Sequence, residues 1–132
     1  MFTDEFKKHG IGSTIFTRSR NIEKLLGINK LYIKFEAGNP TGSMKDRASY
    51  ATLNNASEKG FDTIVVASCG NFGASIVNLS KIFSITPHVY IPEKYQTPRI
   101  LEMERQGGIV HRAPGTYEEV VELSSGEAED KG

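Results

Sequence analysis

Apolar positions along the chain fall into runs bounded by glycine and proline, and from Thr63 onward these runs alternate between strand and helix periods. Thr63-Ile64-Val65-Val66-Ala67 is a continuous apolar run of strand length, as expected of a parallel strand covered on both faces. Phe72, Ala74, Ile76, Val77, Leu79, Ile82 and Phe83 then recur nearly all round a helix, which predicts that this helix is largely buried. Residues 88–91 read as the next strand, meeting Pro92. Thr97 and Pro98 supply an N-cap and a first helical position for a helix running to Gly107-Gly108, with Ile100, Leu101 and Glu104 marking its faces. Residues 109–112 form a further strand. Thr116 and Glu119 then make a capping box ahead of a stripe of Val120, Val121 and Leu123 that ends at Gly126 or Gly132. Parallel neighbours need crossover connections, and helices supply them. The expected fold class is therefore α/β: a three-layer arrangement with a parallel sheet of three strands and helices on both faces.

The earlier part of the chain is less periodic. Residues 2–8 allow a short helix. Residues 15–18 and 31–35 are rich in β-branched and aromatic side chains, and Ile22, Leu25 and Leu26 stand between them at helical spacing with Gly27 as a stop. The order is strand, helix, strand. Residues 45–59 follow as a helix closed by Gly60, in which Ala48, Ala51 and Ala56 suggest close packing against a neighbouring backbone.

Composition narrows the partners. A chain of 132 residues supports one domain, and a domain of that size buries roughly two thirds of its unfolded surface. Lysine plus arginine balance aspartate plus glutamate at 16 each, so no net charge draws nucleic acid or an anionic membrane. A small-molecule partner is expected. The single cysteine excludes an internal disulfide, no apolar run has the length of a membrane span, and residues 1–10 are charged and unlike a signal peptide. A reducing cytoplasm fits best, and no metal site is assigned.

Two stretches carry candidate chemistry. Gly38-Asn39-Pro40-Thr41-Gly42-Ser43-Met44-Lys45-Asp46-Arg47 follows a β-like run and opens a helix, with Ser43 and Asp46 spaced as a capping box. That places Lys45 in a first helical turn, where the positive end of the helix dipole makes an amine easier to deprotonate. A lysine that attacks an aldehyde must be neutral, so Lys45 is a candidate Schiff-base lysine, although most lysines at helix starts are simply solvated. Ser68-Cys69-Gly70-Asn71-Phe72-Gly73 lies between the Thr63 strand and the buried helix, so its backbone N–H groups converge where a carboxylate or phosphate is favoured. Gly70 and Gly73 permit positive φ and close approach of a ligand. Neither stretch has the spacing of a dinucleotide fingerprint or a Walker loop. A thiol at a helix amino terminus makes Cys69 an alternative reactive centre. No spacing ties His9, His88 or His111 to it, and the last two read as strand residues at the sheet margins. Arg99, Glu102 and Arg105 read as a solvated charged face.

NPTGSMKDR resembles the signature around the cofactor lysine of the fold-type II pyridoxal-phosphate enzymes, which include threonine synthase, cysteine synthase and tryptophan synthase β. Leu31-Tyr32-Ile33-Lys34-Phe35-Glu36, and Gly12-Ser13-Thr14 where that family usually has a Gly-x-Thr-Pro-Leu turn, are more similar to threonine synthase than to the others. The resemblance implies pyridoxal 5'-phosphate held by Lys45 as the catalytic residue, with Asn71 directed at the cofactor ring oxygen. It further implies that Ser68, Cys69, Gly70, Asn71 and Phe72 hold the carboxylate of an amino-acid substrate. Cys69 departs from the usual serine and donates weakly; Phe72 departs from a small residue or threonine and narrows the pocket.

The activity implied is that of a lyase converting O-phosphohomoserine to threonine and phosphate, with cysteine synthase-like β-replacement as the alternative. By the same resemblance residues 1–37 contribute strands of a larger domain and residues 38–132 form the smaller one. The rest of the larger domain, with the cup for the cofactor phosphate, lies past this chain. Strands 15–18 and 31–35 are then expected to lack their sheet and leave an open edge. That favours a homo-oligomer or a complementing carboxy-terminal half, and keeps open a non-catalytic fragment.

Overall fold

The computed structural model describes residues 2–131 and divides into two compact units, residues 1–44 and residues 45–132. The first unit contains α1 (Phe2–Lys8), β1 (Phe16–Arg18), α2 (Arg20–Leu26), β2 (Tyr32–Lys34) and a 3-10 turn at Glu36–Gly38. Instead of standing without a sheet, β1 and β2 pair with each other antiparallel, Phe16 opposite Lys34 and Arg18 opposite Tyr32. The reason is local. Gly27 ends α2 in the left-handed conformation at φ 65° and turns the chain back. Glu23 then accepts from the Arg18 guanidinium at 2.7 and 3.0 Å and from the Leu31 N–H at 2.8 Å, which ties the helix to both strands. The Arg18 hydrogen bond, helped by the Leu31 N–H, holds the Glu23 carboxyl below its ordinary pKa. Both faces of this ribbon are open, and Ile15 (66% exposed), Phe16 (64%) and Leu25 (82%) show apolar side chains to solvent.

The second unit runs α3 (Lys45–Glu58), β3 (Thr63–Ala67), α4 (Asn71–Phe83), β4 (Thr86–Pro92), α5 (Pro98–Arg105), β5 (Ile109–Ala113) and α6 (Tyr117–Lys131). The strands form a parallel sheet in the order β3-β4-β5, with Val66 opposite Val89 and Tyr90 opposite His111. Alternation along the strands sorts the core into two faces. Val66, Val89, Ile91 and Val110 pack with Ala74 and Val77 of α4 and with Ile100 and Met103 of α5. Val65, Ala67, Tyr90 and Ala113 pack with Val120 of α6. Helices therefore cover both faces, as the sequence pattern predicts.

Several details differ from the sequence pattern. The buried stripe of α3 is Asp46, Ser49, Tyr50 and Leu53, not its alanines, because the four residues follow helical spacing toward α4. There Ser75 Oγ donates to Asp46 Oδ1 at 2.6 Å, so the fully buried Asp46 carboxylate also links the two helices. The capping box expected at α6 is present, with Thr116 N–H to Glu119 at 2.6 Å and Glu119 N–H to Thr116 Oγ1 at 3.3 Å. Beyond it α6 runs through Gly126 to Lys131, the longer of the two predicted extents, but of the predicted stripe only Val120 is buried. His88 lies on the central strand instead of at a margin: its Nδ1 is 2.9 Å from His111 Nε2, and Tyr90 stacks on His111. No helix among the described residues is long and apolar enough to cross a membrane.

Candidate active site

β3 ends at Ala67 and the chain turns through Ser68, Cys69 and Gly70 into α4, at the carboxyl ends of the strands. The Ser68 hydroxyl is buried and accepts from the Gly73 N–H at 3.0 Å and the Gly70 N–H at 3.5 Å. It is occupied in closing the turn. Gly73 is needed for space: a Cβ there would lie 2.6 Å from the Ser68 carbonyl oxygen and 2.8 Å from Met103 Sδ. Gly70 meets the opposite condition, with nothing within 4 Å of a Cβ and an extended φ of −126°. Contrary to expectation, neither glycine uses positive φ; one makes room for the core and the other leaves open space before the turn.

The remaining predicted residues divide by direction. The Cys69 side chain packs against the core of α4 and α5, and its carbonyl accepts from Thr97 Oγ1 at 3.0 Å. Thr97 thus precedes Pro98 as expected but ties α5 to the turn without capping its own helix through its side chain. The histidine pair lies on the other face of the sheet, with Tyr90. Asn71 and Phe72 are the first two residues of α4, so helix geometry leaves their N–H groups without an acceptor inside the helix. Lys45 is the first residue of α3, solvent-exposed, with Nζ 6.0 Å from the centroid of the Phe72 ring. The structure therefore brings Lys45, Asn71, Phe72 and the open side of Gly70 to one end of the sheet, while Ser68 Oγ is buried in the turn and the Cys69 side chain is half-buried against the core.

One participant lies outside the residues that the motifs mark. Arg99 Nε donates to Asn71 Oδ1 at 3.0 Å while Arg99 Nη1 pairs with Glu102 at 2.6 Å. This side of α5 is not merely a solvated charged face. The one sequence signal was an arginine in a first helical turn, where the helix dipole disfavours a cation.

In the first unit, the stretches before Lys45 meet at Asn39. Its Oδ1 accepts from the Gly12 N–H at 2.8 Å and its Nδ2 donates to the Glu36 carbonyl and carboxylate at 2.7 and 2.9 Å. Thr14 Oγ1 donates to the same Glu36 carboxylate at 3.2 Å. The Gly12-Ser13-Thr14 turn and the asparagine of the Lys45 motif are therefore one hydrogen-bonded assembly.

The family model described as pyridoxal-phosphate dependent enzyme matches residues 7–132. The chain belongs to this family. Threonine synthase of Methanocaldococcus jannaschii is 33% identical over 121 residues, which is 91% of this chain and 30% of that protein. Cystathionine beta-synthase of Apis mellifera is 31% identical over 109 residues, 79% of this chain and 22% of that protein. Among solved structures, a pyridoxal 5'-phosphate-dependent aspartate racemase superposes with a TM-score of 0.86 at 25% identity, over 99% of this chain and 41% of that one. The chain thus spans about a third or less of the curated relatives' length, and its fold is that of the fold-type II pyridoxal-phosphate enzymes. The donor set fits the family's coenzyme. A guanidinium can only donate, so the Asn71 oxygen faces Arg99 and its Nδ2 is left as a donor of the kind an anionic ring oxygen would take, while Lys45, with Nζ 6.0 Å from the Phe72 ring, carries a primary amine of the kind an aldehyde would take.

Proposed function

We propose that this chain is part of a pyridoxal-phosphate-dependent enzyme of amino-acid metabolism, threonine synthase-like, in which Lys45 holds the coenzyme. The observation that carries this reading is the placement of Lys45 Nζ beside Phe72, at the turn where Asn71 offers donors and Gly70 leaves space. When bound, the coenzyme supplies a conjugated ring that takes up the electron pair left at the substrate α-carbon. Lys45 Nζ removes and returns the proton at that carbon. Asn71 Nδ2 donates to the coenzyme ring oxygen, and the N–H groups of Asn71 and Phe72 receive the substrate carboxylate. Ser68, buried, and Cys69, half-buried against the core, shape that turn, which shifts carboxylate binding from side chains to backbone. Phe72 sets the width of the pocket above the amine.

O-phosphohomoserine as substrate is supported by the threonine synthase relative; its phosphate would leave from the γ-carbon and water would add at the β-carbon, giving threonine and phosphate. Cysteine synthase-like β-replacement is the second reading, supported by the cystathionine beta-synthase relative at nearly the same identity. Thiol chemistry at Cys69 finds no support in a side chain packed against the core. Residues 1–37 belong, in this reading, to a larger domain, for which Ile15, Phe16, Leu25 and Phe35 provide a contact surface. That contact comes from a second copy or from a complementing carboxy-terminal half in the cytoplasm. The test loads the protein with pyridoxal phosphate, alone and with such a half supplied in trans, and measures phosphate release from O-phosphohomoserine. Release that disappears in Lys45→Ala supports the proposal. Turnover of O-acetylserine with sulfide and none of O-phosphohomoserine transfers it to the second reading, and turnover undiminished in Lys45→Ala overturns both.

A further inference from the structure

We propose that Arg99 is a positioning residue for Asn71, an inference that rests on the coenzyme reading above. Asn71 is exposed at the start of α4, and nothing in its own helix fixes its amide. Arg99 does so from the first turn of α5, with Nε on Asn71 Oδ1 at 3.0 Å. Its guanidinium is itself held by Glu102, one turn along, at 2.6 Å, so the planar fork has little freedom to turn. A second bond from the same turn, Thr97 Oγ1 to the Cys69 carbonyl at 3.0 Å, fastens α5 to the loop carrying Asn71. The consequence is directional. With the oxygen claimed by a group that can only donate, the amide cannot flip, and both Nδ2 protons point away from Arg99 toward whatever oxygen the site receives. Arg99 also places a positive charge beside the amino ends of two helices, α4 and α5, which raises the local preference for an anion. Glu102 offsets the cost of that charge in the free protein.

Two measurements test this. In the coenzyme-free protein, the side-chain amide signals of Asn71 in a 15N-edited NMR spectrum should move in Arg99→Met and stay in place in Arg105→Met, a change on the same helix away from Asn71. In the loaded protein, Arg99→Met and Asn71→Ala should each weaken coenzyme binding roughly tenfold, the loss of one charge-assisted hydrogen bond. The double variant should bind no worse than Asn71→Ala alone, and Arg99→Lys should recover part of the loss. Asn71 signals that ignore Arg99→Met, or losses that multiply in the double variant, overturn the positioning role, because Arg99 then acts without Asn71. Failure of the unaltered protein to bind coenzyme defeats the reading of function instead, and the Asn71 signals alone then decide whether Arg99 holds the amide.

Discussion

Gly73→Ala and Gly70→Ala, three residues apart in one turn, should behave in opposite ways. Gly73 is the third residue of α4, where alanine favours the helix over glycine by about 1 kcal/mol. Against this, the new Cβ would sit 2.6 Å from the Ser68 carbonyl oxygen, 2.8 Å from Met103 Sδ and 3.3 Å from Ser68 Cβ. Comfortable contacts lie at about 3.5–4.0 Å. The carbonyl is backbone and Met103 is fully buried, so neither can swing aside cheaply. Overpacking of this kind costs about 1–3 kcal/mol. A shift of Ser68 also strains its 3.0 Å bond from the Gly73 N–H, worth about 1 kcal/mol. The net expectation is a loss of about 1–3 kcal/mol, read as a lower urea midpoint with unchanged slope. Gly70→Ala adds a methyl group to empty space at an ordinary φ of −126°. It should cost only about 0.5 kcal/mol, the N-cap preference for glycine over alanine, yet it should weaken coenzyme or substrate binding because the methyl group stands before the turn. A Gly73→Ala protein as stable as the parent, or a Gly70→Ala protein as damaged as Gly73→Ala, would refute this description of the loop.

Other expectations follow from individual contacts. Gly126 lies inside α6 with nothing near a Cβ, so Gly126→Ala should stabilise by about 0.5–1 kcal/mol in urea unfolding; a loss would mean that α6 does not run through this residue. Ser75→Ala removes a donor from the fully buried Asp46 carboxylate and should cost about 1–3 kcal/mol; a neutral result would show that the link contributes nothing. Because Glu23 has a folded-state pKa below its ordinary value, its contribution is present above about pH 4.3. It is lost as the pH falls through the depressed value. Thermal unfolding against pH should show that extra acid loss in the parent and not in Glu23→Gln, and parallel curves would contradict it.

Sequence legibility followed the range of the interactions. Thr63–Ala67 was recovered to the residue because a continuous apolar run between turns has only one strand-length solution. The capping box of α6 was equally local. Gly126 was a possible stop, but one glycine costs about 1 kcal/mol and the flanking turns outweigh it. β1 and β2 are three residues each, too short for a pattern to name a partner, and their pairing emerges only once Glu23 joins both. The motif residues Lys45, Asn71 and Phe72 were legible as types and do converge on one end of the sheet. The side-chain directions were not. Whether Ser68 and Cys69 point outward or inward depends on Gly73 and on α5, whose Thr97 and Arg99 reach back 28 residues in sequence. No local period records such a distance.

The claim that most else depends on is that the Lys45 amine and the Asn71 turn serve one coenzyme. The protein should be mixed with pyridoxal phosphate, reduced with borohydride, digested and mapped by mass spectrometry. A pyridoxyl group should appear on the peptide containing Lys45, well above the levels at the other lysines, and fall away in Asn71→Ala at limiting coenzyme. Label spread evenly over the lysines, or unchanged total label in Lys45→Ala, would contradict the account.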